Sequence, residues 1–194
     1  MSVQPKTRYT LQEYLDLERS AEVRHEYLDG EIFAMVGASW PHVVIVSNLV
    51  TRLSPQLRER GCQAVSSDLR VKISAIGLYT YPDIAVVCGK PQLEQPGDTL
   101  INPTMIIEVL SDSTEAYDRG KKFEHYRTVG SLTDYVLVSQ DKVLVEHFSR
   151  QADGRWLYTA ANKLTDSISI TTLGCALNLA EVYETVEGLA ASGT

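Results

Sequence analysis

Two stretches, Tyr81-Pro82-Asp83-Ile84-Ala85-Val86-Val87 and Pro103-Thr104-Met105-Ile106-Ile107-Glu108-Val109-Leu110-Ser111, decide how the chain is read. Each is a short apolar run, rich in β-branched residues and bounded by turn formers, which reads as a buried strand. Each also carries one carboxylate. Glu108 stands between Ile107 and Val109, where an unpaired charge would be expensive to bury, so it needs a cation, a proton or a donor beside it. Asp83 opens its strand directly after Pro82, where a carboxylate can project from a sheet edge. If the two strands are neighbours, these two acids can hold one hard divalent cation through oxygen ligands.

Immediately downstream, Asp118-Arg119-Gly120-Lys121-Lys122-Phe123-Glu124-His125-Tyr126 lies in a helix predicted over 115–128. Asp118, Lys122 and Tyr126 are spaced i, i+4, i+8 and share a face. Phe123 and Tyr126 pack inward and draw Lys122 towards the sheet, with Lys121 as a one-residue competitor. Simpler readings stand beside these. Glu108 could be a structural acid buried against an arginine such as Arg70, Asp83 a turn-capping aspartate, and Asp118–Lys122 a surface pair worth a few tenths of a kcal/mol.

Upstream, Thr10-Leu11-Gln12-Glu13 has capping-box spacing, and Leu11, Tyr14, Leu15 and Leu17 predict a short amphipathic helix to about Ser20. Residues 25–35 read as a hairpin turned at Asp29-Gly30. A second helix starts near Trp40-Pro41 and runs over 43–60, with Pro55 kinking or restarting it behind a Ser54 cap. Strands are predicted over 63–73, 82–88 and 104–110, with 89–102 as a mobile surface loop. Beyond the third helix come a hairpin of 134–139 and 143–148, outer strands at 155–159 and 168–170, a last helix over 179–186 and a frayed tail from Gly188. An antiparallel start followed by a crossover helix gives a mixed α/β fold, with a central mixed sheet flanked by helices.

The 194 residues suit one domain spanning 1–194: a core over about 40–140, a helix-hairpin over 10–36 and a C-terminal β extension over 143–187. No apolar run is long enough to span a bilayer, and Met1 to Arg8 lacks the apolar segment of a secretory signal. Three cysteines, Cys62, Cys88 and Cys175, are odd in number and far apart, which argues against a disulfide framework or structural zinc and for a reducing cytoplasm. The net charge of −7 disfavours a protein that coats nucleic acid. It leaves room for an enzyme that concentrates cations at an acidic centre, and two acids with a lysine suit metal-assisted phosphodiester cleavage. His42, at a helix start, and Glu26, before the hairpin turn, are further candidates for the metal shell or proton transfer. Nucleophile-elbow, zinc-protease, P-loop and dinucleotide motifs are missing.

At these residues the chain resembles the PD-(D/E)XK nuclease superfamily, and more closely its Uma-type family of restriction endonuclease-like proteins. Pro82-Asp83 matches the PD half-motif, and Glu108-Val109 with Ser111 matches the E-V-x-S strand. Asp118, Lys122 and Tyr126 match a D-x-x-x-K-x-x-x-Y helix, and Glu26, Asp29-Gly30 and His42 match N-terminal positions. One departure stands out: the superfamily lysine two residues after the second acid is Leu110 here, so the resemblance moves that role to Lys122 on the following helix. It implies a restriction endonuclease-like core and Mg²⁺ or Mn²⁺ held by Asp83, Glu108 and the Val109 carbonyl. It also implies DNA as substrate and a homodimer. The alternative is a binding module of the same fold that has lost turnover.

Overall fold

Met105, Ile107 and Val109 face one side of their strand, Ile106, Glu108 and Leu110 face the other, and all six are buried. A strand covered on both faces must lie in the middle of a layered structure. The computed structural model describes residues 8–35, 37–66, 68–73, 75–111 and 114–189, and it is built in that way. Most of the tail expected over 188–194 lies outside the described residues.

The chain opens with helix α1 (Leu11–Ser20), the hairpin β1 (His25–Leu28) and β2 (Glu31–Ala34), and the long helix α2 (Trp40–Arg58). Strands β3 (Cys62–Ser66), β4 (Arg70–Ile73), β5 (Leu78–Thr80), β6 (Ile84–Cys88), β7 (Leu93–Glu94), β8 (Thr99–Leu100) and β9 (Met105–Leu110) follow. A helical crossover made of α3 (Glu115–Tyr117), a π turn (Asp118–Lys122) and α4 (Phe123–Tyr126) leads to β10 (Asp134–Ser139). Strands β11 (Val145–Arg150), β12 (Trp156–Ala161), β13 (Ser167–Ile170) and β14 (Cys175–Asn178), with helix α5 (Leu179–Val182), complete the described fold.

The mixed α/β class expected from the sequence is what is found, but the strands form two six-stranded sheets rather than one. One runs β12-β11-β10-β9-β6-β3 and the other β2-β1-β5-β4-β8-β7. Both are antiparallel except for the β9–β10 and β4–β8 pairs. The first sheet buries one face under α2, α5 and the β13–β14 ribbon, and the other against a cluster holding Tyr126, Tyr135, Val71 and Leu78. The chain passes between the sheets at Tyr81-Pro82-Asp83, between β5 and β6.

Local chemistry follows the sequence at the N-terminus. Thr10 accepts the Glu13 N–H, and the Glu13 carboxylate accepts the Thr10 N–H at 2.7 Å. Thr10→Ala should therefore cost about 1 kcal/mol, read as a lower denaturation midpoint at unchanged m-value. Asp29 and Gly30, with φ of 48° and 84°, make the expected hairpin turn.

Other expectations need correction. Pro55 does not break α2, because fully buried Ile45, Leu49, Leu53 and Leu57 form one continuous stripe on both sides of it, and their packing outweighs one lost backbone bond. The single strand expected over 63–73 is two strands in different sheets. The 89–102 link is pinned rather than mobile: β8 pairs with β4, Thr99 and Leu100 are buried, and the Arg70 Nε–H donates to Thr99 Oγ1 at 3.0 Å. Cys62 and Cys88 lie directly opposite each other in the β3–β6 ladder and form a disulfide. Sheet register overcomes their 26-residue separation, so the cysteine count says nothing about compartment. Cys175 is free, and burial pushes its thiol up to about 11. Among the described residues no helix is long and apolar enough to cross a membrane.

Candidate active site

Antiparallel pairing of β6 with β9 sets Ile84 opposite Ile107, so the residue before β6 and the residue after Ile107 meet at one end of the ladder. These are Asp83 and Glu108, and each is gripped by the other's strand. The Val109 N–H donates to Asp83 Oδ2 at 2.7 Å, and the Asp83 N–H donates to Glu108 Oε2 at 3.4 Å. Backbone donors thus hold the two carboxylates side by side.

Helix α2 supplies the next group. Its N-cap Ser39 accepts the His42 N–H, which seats the first turn, and His42 Nε2 faces Asp83 Oδ1 at 2.9 Å. At that distance the ring and the carboxylate share a hydrogen bond.

The helical crossover supplies the cation. Lys122 is buried and Lys121 exposed, which settles the choice between them in favour of Lys122 as the inward residue. Lys122 Nζ lies 3.0 Å from Glu108 Oε1, 3.3 Å from Asp118 Oδ1 and 3.6 Å from Glu26 Oε1. The π turn over Asp118–Lys122 keeps both of its end residues turned towards the sheet, and such turns recur at functional positions. Tyr126 is on the same side and donates its hydroxyl to Glu108 Oε1 at 2.9 Å. Glu26 arrives from β1, where it accepts a hydrogen bond from the Thr80 hydroxyl. The alternative partner for Glu108 does not hold: Arg70 instead binds Asp98 at 3.0 Å and receives no contact from Glu108 among the described residues.

Asp83, Glu108, Lys122, Glu26, His42 and the Val109 backbone therefore form one connected network, drawn from α2, β1, the β5–β6 crossing, β9 and the π turn. Its charge is unbalanced. Glu26, Glu108 and Asp118 surround the buried Lys122, Asp83 stands beside Glu108, and His42 lies at the rim. Burial raises the Glu108 carboxyl, Lys122 draws it back, and the nearby Asp118 and Asp83 charges push it up again, to about 8. Burial likewise raises Asp118. For Lys122, burial alone would favour loss of the proton, but the carboxylates around it, Glu108 foremost, hold it well above its ordinary value. The ammonium stays charged.

Spacing did not reveal the groups that hold Tyr81 in place. Fully buried Glu18 accepts hydrogen bonds from the Tyr81 hydroxyl at 2.9 Å and from the His25 N–H at 3.0 Å. Arg70 Nη1 donates to the same Tyr81 oxygen at 3.3 Å. This clamp fixes the residue immediately before Pro82-Asp83. Removing the Tyr126 hydroxyl, in Tyr126→Phe, takes a donor from a buried carboxylate and should cost about 1–3 kcal/mol of stability, measured by denaturant titration.

The site's donor set suits a hard divalent cation in kind: two adjacent carboxylates and excess negative charge. Among the described residues no three His, Cys, Asp or Glu side chains converge as a metal cage. Any ion would therefore rest on the acid pair, backbone oxygen, water and substrate, which is how Mg²⁺ is usually held.

Comparison with known proteins agrees with this architecture. The sequence profile of the Uma2 family, described as "Putative restriction endonuclease", matches residues 11–180. An uncharacterised protein of Synechocystis sp. strain PCC 6803 is 35% identical over 179 residues, covering 92% of this chain and 93% of its own. A second from the same strain is 35% identical over 151 residues, covering 77% and 85%. The crystal structure of a protein from Anabaena variabilis, described as a putative nuclease belonging to DUF820, superposes with a TM-score of 0.73 at 22% identity, covering 90% of this chain and 97% of that one.

Proposed function

Because the chain belongs to the Uma2 family of restriction endonuclease-like proteins, we propose that it is a metal-dependent endonuclease hydrolysing phosphodiester bonds in DNA. The observation that carries this reading is the pairing of Asp83 with Glu108 beside a buried, charged Lys122. In this proposal Asp83 and Glu108 hold Mg²⁺ or Mn²⁺. In an extended strand the N–H and C=O of one residue point the same way, so the Val109 carbonyl joins them on the side where its N–H meets Asp83. The cation supplies Lewis acidity, drawing charge from the phosphate and making hydroxide available near neutral pH.

The chain's own groups do the remaining work. His42 and the Val109 N–H each take one oxygen of Asp83, fixing the carboxylate's plane. Lys122 orients the attacking water or neutralises the scissile phosphate, and Glu26 shares the ammonium with Glu108 so that it stays near both. Water adds at phosphorus, losing a proton to bulk water, as the bond to the leaving sugar oxygen breaks, and that oxygen takes its proton from water. Two copies acting as a homodimer in the cytoplasm would place one such centre on each DNA strand.

One observation favours the second reading, a binding module without turnover. Both oxygens of Asp83 and of Glu108 already accept hydrogen bonds from protein groups, so the site is self-consistent without a metal. Incubating supercoiled and linear DNA with Mg²⁺, Mn²⁺ or chelator, for the parent chain and Glu108→Ala, separates the readings. Metal-dependent cutting that Glu108→Ala abolishes is the expected result. Equal cutting by both proteins, or none by the parent on several substrates, removes the enzyme reading.

A further inference from the structure

Positive charge left without a counter-charge is informative on a chain whose net charge is −7. Arg127 follows Tyr126 at the end of α4 and is exposed, and Arg150 is the last residue of β11. Among the described residues neither makes an ion pair, although Glu124 is only one helical turn before Arg127. Together with Thr128, Gly154 and Trp156 the two arginines line one open cavity of about 390 Å³, and no carboxylate lines it. Asp153, beside Gly154, is already held by Arg155 at 2.6 Å.

Arg150 is set in place by three contacts. Its Nη1 donates to the Gly130 carbonyl at 3.2 Å, its Nη2 donates to the Arg127 carbonyl, and its guanidinium lies over the Trp156 ring at 5.0 Å. Trp156 is opposite Arg150 in the β11–β12 ladder and meets the Phe123 ring edge-on at 5.3 Å, so the platform is itself packed. The two carbonyl contacts cap the end of α4, but they leave the other N–H groups of Arg150, and its charge, for a ligand. Capping does not account for Arg127. A planar guanidinium held against an aromatic ring is prepared for a phosphate.

Sheet register puts this cavity on the same face as Glu108. Glu108 is opposite Leu137 and Leu137 is opposite Glu146, while Glu146 and Arg150 stand at alternate positions of β11. Arg150 is therefore about 13 Å from the Glu108 row along the strands and about 10 Å across them. Phosphates recur every few ångströms along a nucleic-acid strand, so one laid at the acid pair carries others out to that distance. The carboxylates of the centre repel phosphate, and affinity for such a strand has to come from cations outside it.

We propose that Arg127 and Arg150 form a phosphate-binding site that grips the backbone of a nucleic-acid strand outside the acid centre. The choice of a nucleic-acid phosphate rests on the nuclease reading above. The test is anisotropy of labelled duplex and single-stranded DNA in chelator, over a series of salt concentrations. Arg127→Gln is expected to weaken binding roughly fivefold and to lower the slope of log affinity against log salt by about 1, the loss of one phosphate contact. Arg58→Gln removes the same charge from an exposed position on α2, which covers the opposite face of the sheet, and is expected to change neither. Arg150→Lys keeps the charge but loses the flat fork, and should weaken binding by a smaller factor.

An unchanged salt slope in Arg127→Gln, or equal losses in Arg127→Gln and Arg58→Gln, overturns the proposal. So does a parent that binds inorganic phosphate in calorimetric titration but no DNA, which would make the cavity a small-anion site. If the parent cleaves DNA with metal while Arg127→Gln keeps the parent KM, this inference falls and the nuclease reading stands. DNA binding that Arg127→Gln weakens, in a parent that cleaves nothing, keeps the phosphate site and removes the enzyme.

Discussion

Glu108→Gln is expected to remove metal-dependent cleavage by a factor on the order of 10³ or more, while the chain stays folded. The size follows from the position. Losing one preorganised charge-stabilising group typically costs 10²–10³ in rate, and Glu108 is both half of the acid pair and the nearest carboxylate to Lys122. A second, independent signature comes from pH. The folded chain holds the Glu108 proton up to about 8, whereas the same carboxyl in an unfolded chain releases it near 4.5. The resulting stabilisation of the metal-free protein is fully present below the unfolded value and is lost as pH rises through about 8. Metal binding must displace that proton, so affinity for Mn²⁺ should rise with pH by up to about tenfold per unit and level off above about 8. Glu108→Gln should flatten both profiles. Thermal denaturation between pH 5 and 9, with and without Mn²⁺, reads them together, and a parent whose stability and metal affinity ignore pH over that range would contradict the assignment.

Lys122→Met is expected to produce the largest loss of stability of any single substitution in the site, about 3–5 kcal/mol at neutral pH, because removing one partner of a buried ion pair leaves the other charge uncompensated. Here Asp118 and Glu26 lose the buried ammonium beside them, and Glu108, whose proton is held up to about 8, loses a hydrogen-bond donor. The methionine keeps the stem's volume, so the effect isolates charge from packing. Acid should then partly rescue the variant, since protonating Asp118 removes the repulsion, and a divalent cation should rescue it at neutral pH. If Lys122 acts on water or phosphate, turnover falls even under conditions where rescue restores the fold. Full turnover in the rescued variant would reduce Lys122 to a structural counter-ion. Stability within about 0.5 kcal/mol of the parent would show that the buried charges are not coupled as described.

How far the sequence carried the reading depends on the kind of interaction involved. Glu108 announced itself because a carboxylate inside Ile107–Val109 breaks an apolar run, and a buried charge demands a partner. Periodicity left Lys121 as a competitor to Lys122, and only the burial of one and the exposure of the other separates them. Capping at Thr10 and the turn at Asp29-Gly30 are local devices, decided within four residues, and both are as read. What escaped was non-local. The Glu18–Tyr81–Arg70 clamp joins residues up to 63 positions apart and leaves no periodic trace. The division into two sheets, the parallel pairing of β8 with β4 and the Cys62–Cys88 bond all depend on register between strands, and apolar content does not encode register. Continuity of α2 through Pro55 went the other way, with a local rule overridden by a buried stripe.

The most direct test of the proposed centre is calorimetric titration of Mn²⁺ into the parent chain, Asp83→Asn and Glu108→Gln, at pH 8 and at pH 6.5. The expected result is one ion per chain for the parent, weaker at the lower pH with release of a proton, and no measurable binding for either variant. Mn²⁺ binding by Asp83→Asn and Glu108→Gln as tight as by the parent would contradict the account.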